Sequence, residues 1–191
     1  NFTAPITIWN GSTYVAYSIL DDDYAILPNE AFFVQCPDDL DNLTFPINGK
    51  QMTKEIEQEN AARAQFTADN PRKVMNMELS NGKDPDKTRL VINPDASLEY
   101  EMNCDAAKFL SSGVPQLYTL DNDECEYAIN ERPLSTGEVH IGFFAGTKGT
   151  YTLYFKSNDD CELMLIDNLT DAVFNQRIVD ANNNGQRFIY T

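Results

Sequence analysis

The sequence predicts an all-β fold: an antiparallel β-sandwich, with a jelly roll as one form of it, carrying one short helix near residues 104–110. Three observations carry this reading. Apolar and polar residues alternate over short runs, as in Tyr151, Leu153 and Phe155 against Thr152, Tyr154 and Lys156, which is the period of a strand with one dry face. Turn clusters such as Asn10-Gly11, Asn81-Gly82, Ala145 to Gly149, Ser157 to Asp160 and Asn182 to Gly185 punctuate the runs. They supply residues that accept positive φ or bond their own backbone. About a dozen short strands at such spacing argue a sandwich or barrel.

Taken in order, Ile6 to Trp9 leads into Asn10-Gly11, and Thr13 to Tyr17 leads out, which is the strongest short hairpin signal. Asp21-Asp22-Asp23 reads as a solvated turn. Tyr24 to Leu27, Ala31 to Cys36 and Leu43 to Phe45 read as strands broken by Pro28, Pro37 and Pro46. Residues 53–68 change character. Helix formers dominate, but apolar residues are too sparse for a buried stripe, so residues 53–71 read as a connector or a weakly packed helix. They separate a first β block, 1–50, from a main block, 72–191.

The main block opens with strands at Lys73 to Leu79, Thr88 to Ile92 and Leu98 to Met102. Cys104 to Leu110 is the one short helix, capped by Asn103 or Asp105, with an Asp105–Lys108 ion pair at i, i+3. Gln116 to Leu120 and Cys125 to Asn130 follow. Residues 138–169 read as a three-stranded meander in which residues 139–155 form a hairpin with Leu153 and Phe155 buried. Its third strand holds the unbroken apolar run Leu163 to Ile166, which predicts cover on both faces. Phe188 to Tyr190 is the last strand.

The 191 residues can bury an ordinary core. No apolar run approaches the ~20 residues of a membrane helix, so the chain is expected not to insert in a membrane. Asn1 reads as the start of a mature or trimmed product, with any export signal outside the sequence. The net charge of −16, from 30 acidic against 14 basic residues, repels phosphate backbones, so nucleic acid is not an expected partner. Four cysteines permit three pairings and suit an exported protein. Yet Cys36, Cys104, Cys125 and Cys161 each fall in phase with apolar neighbours, as buried, reduced thiols would.

The chemistry-bearing residues are few. His140 is the only histidine, so any Ser-His-Asp or Cys-His catalyst would need it, and no Gly-x-Ser-x-Gly accompanies it. It reads as a surface strand histidine. Acidic pairs sit in turns, where Asp is favoured for backbone reasons. Asp121 and Asp123, in Asp121-Asn122-Asp123-Glu124, are the candidate ligands for Ca²⁺, without EF-hand spacing; no other cofactor is expected. Trp9, Tyr14 and Tyr17 are the candidate sugar-stacking residues, with burial in the core as the competing reading.

Several segments in order carry a resemblance. They are Trp9-Asn10-Gly11 with Tyr14 and Tyr17, Leu27-Pro28 with Ala31-Phe32-Phe33-Val34, Arg63-Ala64-Gln65-Phe66, Asn70-Pro71-Arg72, Leu79-Ser80 and Asp86-Lys87-Thr88-Arg89. After them come Cys104-Asp105-Ala106-Ala107-Lys108-Phe109, Val114-Pro115-Gln116-Leu117-Tyr118-Thr119, Tyr127 to Pro133 and Gly149-Thr150-Tyr151-Thr152-Leu153. In that order they resemble the C-terminal β module of large exported, adhesin-like surface proteins of Bacteroidetes-type bacteria, a family of unknown function. The resemblance implies a non-catalytic module at the cell surface, structural or adhesive, whose partners are the parent protein's other domains and a glycan or host protein. An accessory or catalytic domain of a carbohydrate-active enzyme is the alternative.

Overall fold

A computed structural model describes residues 4–21, 26–36, 72–134, 137–178 and 186–190. Every regular element among them is a strand. In chain order these are β1 (Ile6–Trp9), β2 (Tyr14–Tyr17), β3 (Phe32–Val34), β4 (Lys73–Ser80), β5 (Pro85–Ile92), β6 (Ala106–Ala107) and β7 (Gln116–Leu120). After them come β8 (Glu126–Arg132), β9 (His140–Phe144), β10 (Tyr151–Ser157), β11 (Cys161–Asp167), β12 (Ala172–Ile178) and β13 (Gln186–Tyr190). The predicted segments 53–71 and Leu43 to Phe45 lie outside the described residues, as do Asp22 and Asp23 of the acidic turn and Tyr24 and Ala25 of the Tyr24 to Leu27 strand, whose described residues Ile26 and Leu27 are not in a strand.

The first hairpin forms as its sequence dictates. Ile6↔Tyr17 through Trp9↔Tyr14 set the β1–β2 register, and β3 adds to the other edge of β1. In the loop, Asn10 Oδ1 accepts the N–H groups of Ser12 and Thr13, both at 2.9 Å, while Gly11 takes the φ of 102° that side chains avoid.

The large sheet runs β13-β10-β4-β5-β8-β7-β9, with β6 also on β8. Its pairs are antiparallel except β5–β8, which is parallel, so the sheet is mixed. It also curls. Leu117 of β7 packs with Met77 and Leu79 of β4 and Tyr151 and Phe155 of β10 in one core, although β7 stands four strands from β10 in the hydrogen-bonded order. Cys161, Leu163 and Leu165 of the β11–β12 ribbon pack onto that core. At the β9 edge, Tyr118 lies across Gly142, where an added Cβ would come within 2.2 Å of its ring; only glycine fits there.

The pairing corrects the predicted meander. β10 has both edges occupied, by β4 and β13, so β9 pairs instead with β7 and β11 with β12. The 139–155 hairpin does not form. The face assignment holds for Tyr151 and Phe155, which are buried, while Leu153 is partly buried against the same core. The apolar run of β11 is covered on one side only: Leu163 and Leu165 face the core, whereas Met164 and Ile166 are exposed. Residues 98–102 form turns rather than a strand, and β12 is a strand that the apolar pattern did not announce.

The predicted helix at 104–110 is also replaced. The N–H groups of Cys104 and Asp105 both reach the Glu101 carbonyl, at 2.9 and 2.8 Å, which closes a single turn. The chain then extends, with Ala106 and Ala107 paired to Ile129 and Tyr127 of β8. Two tertiary bonds outweigh helix propensity here. The buried Asp105 carboxylate accepts the N–H of Glu101 at 2.8 Å and that of Glu131 at 2.7 Å. Lys108 does not pair with Asp105. Its ammonium reaches the Asp86 oxygens at 2.8 and 2.6 Å, with both side chains 0 % exposed, and Asp86 also accepts the Leu117 N–H at 2.6 Å.

Two predictions follow from these buried groups. Lys108→Met keeps the apolar stem but leaves Asp86 buried without its cation. Urea unfolding is expected to show a loss of about 3–5 kcal/mol; a loss under about 1 kcal/mol would refute the role of the pair. The second concerns pH. Burial raises the Asp105 carboxyl from 3.8 to about 6, against the pull of the Glu101 and Glu131 N–H groups. A raised folded pKa means that stability is fully present below the unfolded value and is lost as pH rises through the folded one. Asp105 should therefore cost up to about 3 kcal/mol between pH 4 and pH 6. Asp105→Asn should flatten that part of the stability–pH curve, and an unchanged slope would count against the assignment.

Candidate functional site

Trp9 and Tyr14 face each other across the β1–β2 ladder, with ring centroids 4.9 Å apart. Phe33 of β3 joins them because it is paired with Thr7, which shares a face with Trp9. Phe109, in the extended chain after β6, completes the cluster: Tyr14–Phe33, Tyr14–Phe109 and Phe33–Phe109 centroids lie 5.9, 5.6 and 5.3 Å apart, all edge-to-face. That geometry is the favoured one for aromatic pairs. Trp9 is 47 % exposed, and Phe33 and Phe109 are also exposed. The rings make a platform open to solvent on a three-stranded support, so the core reading of Trp9 does not hold.

Tyr17 is not part of the platform. An odd number of residues from Tyr14, it projects from the other face of β2 and lines a cleft of about 290 Å³ between the hairpin and the polar face of the large sheet. The floor of that cleft is two cross-strand rows: Lys156, Asn76 and Arg89, then Tyr154, Glu78 and Lys87. Arg89 holds Asp21 in a two-pronged pair and donates to Asn76 Oδ1 at 2.8 Å. Glu78 lies 3.6 Å from Lys87. The two carboxylates of the cleft, Asp21 and Glu78, thus each lie beside a cation.

Asp121 Oδ1 accepts the N–H groups of Asp123 and Cys125, at 2.9 and 2.8 Å, and Oδ2 accepts the Tyr127 hydroxyl at 2.7 Å. Burial pushes this carboxyl up, but those donors outweigh it and hold it below the usual carboxylate range. The carboxylate organises its own turn, as the residue type predicts. Asp123 is exposed. Among the described residues no three His, Cys, Asp or Glu side chains gather as a metal-binding group. His140 is exposed at the start of β9, with Nε2 3.6 Å from Glu138.

Phe33 and Phe109 were the platform members not named from sequence. The signal for Phe33 was partial: alternation sets it opposite Phe32 and Val34 within β3, but its place beside Trp9 comes from its pairing with Thr7. Phe109 was hidden because its segment read as a helix, in which its direction would differ.

The expected burial of the four cysteines holds only in part: Cys104 and Cys161 are half-buried, Cys36 and Cys125 exposed. The parity argument fails for Cys36 and Cys125 because both lie just outside their strands, β3 and β8, where alternation no longer governs direction. Burial, then neighbouring acids, raises the Cys104 thiol to about 11. Thiol labelling of the native protein should modify Cys36 and Cys125 before Cys104 and Cys161, and denaturant should release four reactive thiols. A total below four would reveal a disulfide. No family model, no curated protein and no solved structure matches this chain.

Proposed function

We propose that this chain is a non-catalytic adhesive module of an exported cell-surface protein, a β-sandwich in its finer architecture, which binds neutral glycan on the Trp9–Tyr14–Phe33–Phe109 platform. The observation that carries this reading is the platform itself. Tyr14, Phe33 and Phe109 in mutual edge-to-face contact, with Trp9, 47 % exposed, against Tyr14, form an apolar surface that a globular chain has reason to keep in water when it binds something. Sugar rings present C–H faces to such a surface, and binding rests on stacking and hydrogen bonds rather than on charge. The ordered resemblance to adhesin-like surface modules supports the cell-surface setting. Other domains of the parent protein and a glycan or host protein are the partners this reading supplies.

A glycan array followed by tryptophan fluorescence titration tests it. Neutral glycan should quench or shift Trp9 emission with little change between low and high salt. Trp9→Ala, at a half-exposed position, should leave the fold intact and weaken binding by about tenfold. Unchanged binding by the folded variant would remove the platform as the site.

A further inference from the structure

A second pocket, sharing no residue with the aromatic platform, lies where β7, β8 and β9 meet. It has a volume of about 190 Å³ and is lined by Leu98, Leu120, Asn122, Arg132, Glu138 and His140, with Asp121 at its wall. Arg132 closes β8 and is 8 % exposed, yet its Nε has no hydrogen-bond partner. Arg72 and Arg89 each hold a carboxylate, Glu131 and Asp21; among the described residues Arg132 takes part in no such pair. A buried guanidinium is costly unless something anionic completes it. In a chain of net charge −16, a buried arginine without an acid is the exception.

We infer that this pocket binds the carboxylate of an acidic sugar at the end of a glycan, with Arg132 as the anion-recognising group. The planar fork of arginine matches a carboxylate by two parallel hydrogen bonds, which a point charge would not. The rest of the lining fits a ligand that is acidic at one point and hydroxylated elsewhere. Asn122 offers both donor and acceptor, and Glu138 accepts from hydroxyls. The oxygens of Asp121 are engaged by three donors, the Asp123 and Cys125 N–H groups and the Tyr127 hydroxyl, so attraction of the anion rests on Arg132. Leu98 and Leu120 give the ring an apolar surface. The small volume suits a single terminal residue better than an internal stretch of chain. This site goes beyond the neutral-glycan reading and stands or falls without Trp9.

Calorimetric titration of the whole chain with N-acetylneuraminic acid and glucuronic acid, each beside its methyl ester, tests the inference. At least one acid should bind at millimolar concentration, and its ester should bind tenfold or more weakly. Which acid binds separates the two sugar sources. Binding should weaken as salt rises, survive Trp9→Ala, and be lost in Arg132→Met. If Arg132→Met does not fold, Asn122→Ala at the pocket rim serves instead, with a several-fold loss expected, and the acid–ester comparison needs no variant. The inference is overturned if neither acid binds, if acid and ester bind alike, if acetate binds as tightly as the sugar acids, or if a folded Arg132→Met binds as the parent does.

Discussion

The fold depends on one buried ion pair. Asp86 sits opposite Leu79 in the β4–β5 ladder, on the face that becomes the core. There its carboxylate gathers the Lys108 ammonium and the Leu117 N–H. Three parts of the chain that are far apart in sequence are thereby tied at one point: β5, the extended segment after β6, and the start of β7. Burial lowers the Lys108 pKa while Asp86 pulls it back up, so the pair persists only because each charge is the other's replacement for water. The curl of the large sheet follows. With Leu117 held at Asp86, β7 cannot lie flat beyond β8 and instead brings its apolar face onto Met77, Tyr151 and Phe155.

That curl decides which surfaces remain open to solvent. One face of the sheet is closed by β7 and the β11–β12 ribbon, and its residues are committed to the core. The opposite face carries the polar rows of β10, β4 and β5, and the first hairpin covers only part of it, fixed by Arg89 to Asp21 and by Gln35 to the Asp105 carbonyl. The hairpin thus presents two different surfaces: the aromatic platform on one side and Tyr17 over a charged cleft on the other. The end of β8 contributes a third, because its parallel pairing with β5 leaves Arg132 beside the β7 and β9 ends.

The amino-acid sequence by itself determined the class and the local units. Alternation in Tyr151 to Lys156, the Asn10-Gly11 and Asn81-Gly82 turns, and the run of short apolar segments specify strands and hairpins through the pleat and through backbone sterics, which act over a few residues. It also marked Trp9 and Tyr14 as a candidate pair, since their neighbourhood is fixed within one hairpin. Tertiary structure decided the rest. Strand order was not legible because β10 can pair with any free edge, and in the fold β4 and β13 occupy both of its edges. The segment 104–110 reads as helix by propensity, which is worth less than the bonds that Asp105 makes to Glu131 and Lys108 makes to Asp86. Tyr17 left the platform, and Phe109 entered it, for the same reason. Which face is wet and which ring meets which depend on contacts between residues tens of positions apart, and no local period in the sequence encodes those.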